Sequence, residues 1–285
     1  MTSPVIRTCT ASDGYRLHSR HWEPAGPPRA TVVALHGIQS HSGWFTYSSG
    51  KLAGAGFEVC FLDRRGSGMN EPARGHVVHF ERLVDDVAQF LADARNRTRR
   101  PPDAPVILLG VSWGGKLATV TAAHRPDLID GLALLYPGLQ ARVRTRWDQN
   151  LRLSLAERLG IREKRARIPL DDARLFTGEP RWQKMIRNDP LALHDVTVSF
   201  LLANRELDRR LPMCPAAIRC PVLVMLAGRD EIINNAATAR YVRQFAAKEV
   251  SLIEYADARH TLEFEPDRDR FIDDLIAWLG KVPVR

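Results

Sequence analysis

The chain has 285 residues, 45% of them hydrophobic and 26% charged. That length and those fractions describe a globular protein with a sizeable core, and exclude a disulfide-stapled miniprotein, a collagen-like repeat and a mainly disordered chain. The formal net charge is +8, and residues 138–187 alone carry 13 basic against six acidic side chains.

Strand-like apolar runs alternate with amphipathic helical ones, the signature of a parallel α/β sheet. Val5–Thr10 and Arg16–Trp22 flank Ser12-Asp13-Gly14 and read as an antiparallel hairpin. Residues 30–35, 57–62, 106–109, 132–136, 222–227 and 251–255 are short and nearly all apolar, as strands covered on both faces are. Helices are expected at 80–97, 113–124, 236–247 and 268–279, and a loop at 99–103. In the last helix Phe271, Ile272, Leu275, Ile276 and Leu279 fall on one face.

From residue 138 to 215 the alternation stops. Arginines and scattered apolar residues suggest short helices and no strand, over a length too great for a loop. The expected organisation is a core of residues 1–137 and 216–285, with a helical cap of residues 138–215 over the carboxyl ends of the strands. A basic face there attracts anionic substrates or a membrane surface, although the same pattern arises from a solvated helical surface.

No apolar run is long enough to span a membrane, and the mean hydropathy is −0.24. The N-terminal residues lack a leader pattern, and the four cysteines show neither CxxC nor metal-ligand spacing. A cytoplasmic protein without a metal is expected. The oligomeric state is not legible, and nothing points to nucleic acid.

The sharpest motif is Gly110-Val111-Ser112-Trp113-Gly114, a G-x-S-x-G between a predicted strand and a predicted helix. That setting suits a nucleophile elbow, in which glycines permit a tight turn and the serine hydroxyl projects from the sheet edge. A serine needs a base, and His260, after the last predicted strand, lies at the same edge. The base needs an acid to hold its tautomer. Asp230 follows strand 222–227, with Glu231 beside it as the alternative. The order Ser112, Asp230, His260 is that of α/β-hydrolases. Oxyanion donors are expected from the backbone N–H groups of Trp113 and of Ile38, in the turn His36-Gly37-Ile38. Trp113, Trp44 and Phe45 are candidates to line the pocket.

With those residues in place, the chain resembles α/β-hydrolase-fold proteins of the monoacylglycerol lipase/lysophospholipase-like group, which overlaps the serine aminopeptidase family. The resemblance runs through His36–Trp44, Asp63-Arg64-Arg65-Gly66-Ser67-Gly68, the Ser112 elbow, Gly228-Arg229-Asp230 and His260. It implies a mostly parallel eight-stranded sheet, helices on both faces and a cap after the sixth strand. It also implies nucleophile, acid and base roles for Ser112, Asp230 and His260, and the oxyanion role for Ile38 and Trp113. The implied activity is hydrolysis of a carboxylic ester of a small-molecule acyl substrate, without a cofactor. Trp113 departs from the methionine frequent in that group.

Three other readings compete. A peptidase or amidase needs a cap carboxylate for the substrate amine, such as Glu157, Glu163, Asp171, Asp172 or Glu179. A non-catalytic scaffold has no need of all three triad groups. Gly110–Lys116 satisfies GxxxxGK, but Leu117 stands where a phosphate-binding loop has Ser or Thr.

Overall fold

The computed structural model describes residues 3–97, 100–142 and 147–283. The first two strands, β1 (Val5–Thr10) and β2 (Arg16–Trp22), form the expected hairpin. The remaining strands of the main sheet are β3 (Thr31–Leu35), β4 (Glu58–Leu62), β5 (Val106–Val111), β6 (Gly131–Leu135), β9 (Val222–Ala227) and β10 (Val250–Tyr255). Their order is β1-β2-β4-β3-β5-β6-β9-β10. From β4 to β10 every pairing is parallel, and β2 joins β4 antiparallel.

Alternation along the strands builds two cores. Val33, Leu35, Leu108 and Val224 face α2 (Phe80–Arg95), α3 (Trp113–His124) and α7 (Asn235–Val242), joining Leu83, Val87, Leu117 and Val242. Val32, Ala34, Leu109 and Met225 face α1 (Thr46–Gly54) and α8 (Asp269–Leu279), joining Leu52, Phe271 and Leu275. A strand buried on both faces must be apolar at every position, which is why these strands stood out in the sequence. Because the strands run parallel, the carboxyl ends of β3, β5, β9 and β10 share one edge. The residues that follow them therefore converge there.

Residues 138–215 contain α4 (Trp147–Arg158), α5 (Pro180–Asn188) and α6 (Val198–Arg210). The expectation of no strand is corrected here. Arg165–Arg167 (β7) and Asp195–Thr197 (β8) pair antiparallel as a two-stranded sheet. Three-residue strands reading RAR and DVT carry too little apolar pattern to be seen. The segment is tied to the rest by backbone bonds from Leu193 N to Gln39 O, 2.9 Å, and from Thr261 N to Phe176 O, 2.8 Å. Helix α7 stops at Val242, short of the predicted end at 247. The predicted loop at 99–103 begins outside the described residues. No helix among the described residues is long and apolar enough to cross a membrane.

Candidate active site

Ser112 stands between β5 and α3 with φ 51° and ψ −123°. A non-glycine residue with that positive φ carries strain on the order of 1–3 kcal/mol, held in place by its surroundings. The surroundings here are close. A β-carbon on Gly110 would lie 2.6 Å from Gly115 Cα, and one on Gly114 would lie 2.5 Å from the carbonyl oxygens of Leu35 and His36. Both motif glycines are therefore steric requirements of the turn.

The three predicted side chains meet. Ser112 Oγ lies 2.9 Å from His260 Nε2, and His260 Nδ1 lies 2.7 Å from Asp230 Oδ2. With Nδ1–H donating to the carboxylate, Nε2 is free to accept the serine proton. Asp230 Oδ1 accepts from the backbone N–H groups of Ile232 and Ile233, at 2.8 and 2.9 Å, which fixes the carboxylate plane. Asp230 and His260 are both buried. Glu231 is exposed and pairs with Arg259 at 2.9 Å, so it is Asp230 and not its neighbour that meets His260. His76, His79 and His124 bond to Thr197, Glu81 and the Val120 carbonyl, away from Ser112.

Above the serine, the turn after β3 is held by two residues whose role the sequence reading did not assign. His36 Nδ1 donates to the Gly37 carbonyl at 2.8 Å, and its Nε2 accepts from Arg64 N at 3.2 Å. Burial, reinforced by the Arg64 charge, pushes the His36 imidazole down to about 3, so it stays neutral. Amide planarity then turns the Ile38 N–H away from the Gly37 carbonyl and from His36. The Arg64 guanidinium donates to the Ile38 carbonyl and lies 5.0 Å over the Trp113 ring. It thus touches both residues expected to supply oxyanion donors. Neither the Ile38 nor the Trp113 N–H has a protein acceptor among the described residues. A β-carbon on Gly37 would sit 3.1 Å from Ser40 Oγ and 3.3 Å from Ser112 Cβ, a tight fit that a glycine avoids.

Trp44 and Phe45 line the cavity beside Ser112 together with Leu170, Phe176 and Tyr136. The Trp113 side chain does not, and that expectation is corrected. Its indole donates to Asn204 Oδ1 at 2.8 Å and packs on Phe200, on the α6 side of the turn. The elbow motif specifies where the Trp113 backbone lies, not where its ring goes. Lys116, the lysine of the phosphate-loop reading, bonds to Asn204 and Asp208 at 3.0 and 2.5 Å and faces α6 as well.

Comparison with known proteins agrees with this architecture. A family model described as "Serine aminopeptidase, S33" matches residues 26–267. A Mycolicibacterium smegmatis protein named monoacylglycerol lipase is 27% identical over 269 residues, covering 93% of each chain. A Bacillus subtilis protein named phospholipase YtpA is 28% identical over 255 residues, covering 86% of this chain and 93% of its own. The crystal structure of Paleococcus ferrophilus monoacylglycerol lipase superposes with a TM-score of 0.81 at 23% identity, covering 93% of this chain and 98% of that one. The fold is thus the α/β-hydrolase fold expected from the motifs. Matched from β3 to β10, through the Ser112 elbow and the loop that carries Asp230, the chain belongs to the serine aminopeptidase S33 family.

Proposed function

We propose that the chain hydrolyses a carboxylic ester of a small acyl substrate, with Ser112 as nucleophile, His260 as base and Asp230 as the acid that orients it. The hydrogen-bonded chain Ser112–His260–Asp230, at 2.9 and 2.7 Å, carries this reading. The relatives named lipase and phospholipase bear on the bond cleaved, and the chain is an ester hydrolase of that kind.

Ser112 Oγ attacks the acyl carbonyl carbon as its proton passes to His260 Nε2. The oxyanion is held by the N–H groups of Ile38 and Trp113. Collapse expels the alkoxide, which takes the proton from His260 and leaves as alcohol, with the acyl group on Ser112. A water then gives its proton to His260 and attacks the acyl-enzyme. Return of that proton to Ser112 releases the acid. Of the cap carboxylates that a substrate amine could use, Asp171, Asp172 and Glu157 pair with Arg167, Arg174 and Arg205, which favours the ester reading over the amine one.

Residues 138–215 act as the cap in this reading. Leu151, Leu155 and Leu159 are 63, 55 and 64% exposed at four-residue spacing, beside exposed Arg158 and Arg162. An apolar stripe flanked by arginines fits contact with a lipid surface from which an ester is drawn. Cys9, Cys60 and Cys214 as free thiols fit a reducing, cytoplasmic setting. Turnover of p-nitrophenyl butyrate by the native chain, lost in Ser112→Ala, tests the assignment. A Ser112→Ala protein with near-native turnover would overturn it.

A further inference from the structure

The space beside Ser112 is very small. The centre of a water molecule has about 20 Å³ to move in there. That is room for one water and for no acyl chain. An ester reaches Ser112 only if part of the wall gives way, and a side chain gives way only where space lies behind it. Behind Phe45 and Tyr136 lies only a second enclosed space of about 20 Å³, walled by Phe61, Leu52 and Glu263, so neither can swing clear of the serine. Behind Trp44 the situation differs. A groove under α5, in which the same measure gives about 640 Å³, is lined by Tyr47, Trp182, Met185 and Pro190, and Trp44 is the one residue it shares with the Ser112 cavity.

Trp44 is latched. Its indole Nε1 donates to Asp189 Oδ2 at 2.5 Å, and His41 Nε2 donates to the same oxygen at 2.9 Å. Asp189 Oδ1 accepts from Leu191 N at 2.9 Å. Burial raises the Asp189 carboxyl, but these donors outweigh it and hold the group at about 2, so the acceptor is ionised. The latch joins the turn after β3 to the residue that ends α5.

We propose that Trp44 is the gate and chain-length determinant of the Ser112 site, held shut by Asp189. Its displacement joins the cavity to the groove, and the groove takes the apolar chain of a long ester along Tyr47, Trp182 and Met185. The inference rests on Ser112 being the nucleophile.

The test compares kcat/KM across p-nitrophenyl esters from acetate to laurate for the native chain, Trp44→Ala, Trp44→Phe and Asp189→Ala. Labelling of Ser112 by an ethyl fluorophosphonate is measured on the same samples, and folding is checked by circular dichroism. Trp44→Ala should raise the laurate-to-acetate ratio at least tenfold. Asp189→Ala and Trp44→Phe, which lose the latch but keep a ring, should raise it by less. Should Trp44→Ala fail to fold, the other two still carry the test. An unchanged or lower ratio in the folded variants, with Ser112 labelled, would overturn the gate and point to lifting of residues 138–215 as a whole. Failure of Ser112 to label in the native chain and in every folded variant would overturn the nucleophile itself, and the gate with it, whereas label gained only in the variants would support the gate. An alkyl acetate series on the same variants separates a groove for the acyl chain from one for the alcohol.

Discussion

Two buried histidine clusters sit towards opposite ends of the sheet, and they differ in the charge that stands beside the ring. At the carboxyl edge, His260 has Asp230 on one nitrogen and Ser112 on the other. Near the other end, His21 on β2 faces Cys60 and Glu58 on β4, and Arg97 occupies the middle. Its Nη1 lies 2.8 Å from Glu58 Oε1, 2.9 Å from Cys60 Sγ and 3.2 Å from His21 Nδ1. Burial, aided by the Arg97 charge, pushes His21 down to about 3. Burial also pushes the Cys60 thiol up to about 12 despite that cation. A histidine beside a guanidinium cannot take a proton near neutrality, and a buried thiol does not become a thiolate. His260 instead has the Asp230 carboxylate on the far side of its ring. What separates the clusters is the charge on the far side of the ring, a carboxylate for His260 and a guanidinium for His21, rather than the presence of a histidine and a nucleophile.

The comparison is broken most severely at the catalytic end. Asp230→Asn should reduce kcat on the order of 10⁴-fold, the scale for loss of the orienting carboxylate. Glu231→Gln should remain within a fewfold of native, because Glu231 pairs with Arg259 at the surface. Steady-state ester kinetics on the two variants decide between the two acids, and the reverse pattern would reassign the acid.

At the other end the expected loss is stability rather than turnover. Arg97→Ala leaves the Glu58 carboxylate with the Thr31 hydroxyl but without its cation, and should lower unfolding free energy by on the order of 3 kcal/mol. Arg97 keeps a fifth of its side chain exposed, which argues for the lower part of that range. Denaturant titration measures it. Turnover per folded molecule should be retained, since the cluster touches no part of the Ser112 site.

Glu263 sharpens the contrast, because it is a buried carboxyl three positions after His260 that makes no ion pair among the described residues. Its Oε1 accepts from Tyr47 N and Ser48 N at the start of α1, both at 3.1 Å, and its Oε2 is unpartnered. Burial pushes its pKa up to about 7. The native state then holds a proton that the unfolded state releases near 4.5, so stability falls as pH rises from about 4.5 to 7 and levels above. Thermal melts of Glu263→Gln across that window should show a flatter slope than the native chain. An identical slope would mean that Glu263 is already ionised when folded. Smallest of all is the expected effect of thiol reagents. Iodoacetamide at pH 8 should leave Cys60 of the native protein unmodified by peptide mass, and rapid alkylation would show that the cluster opens.

Much of this was legible in the sequence, for identifiable reasons. Strand β9 was read to the residue, because a two-face-buried strand is a bare apolar run between turn residues. Ser112, Asp230 and His260 were legible because a parallel sheet sends every loop after a strand to the same edge. Helix α1 was missed: TYSSGKLAG has no apolar stripe, and it is placed by packing of Leu52 and Ala53 on β4 and α8. The Trp113 ring was placed on the wrong side, because its direction depends on Asn204, Phe200 and Arg64, which come from distant parts of the chain. Asp189 went unnoticed as a latch. Its partners His41 and Trp44 lie about 150 positions earlier, and no local pattern connects them.

The most direct test is to treat the folded chain with a fluorophosphonate serine probe and map the modified peptide by mass. The account predicts one adduct, on Ser112, that is absent in Ser112→Ala and strongly slowed in Asp230→Asn. Folded native and Trp44→Ala chains that both take no label, or take it on another serine, would contradict the assignment of Ser112, Asp230 and His260 as one catalytic unit.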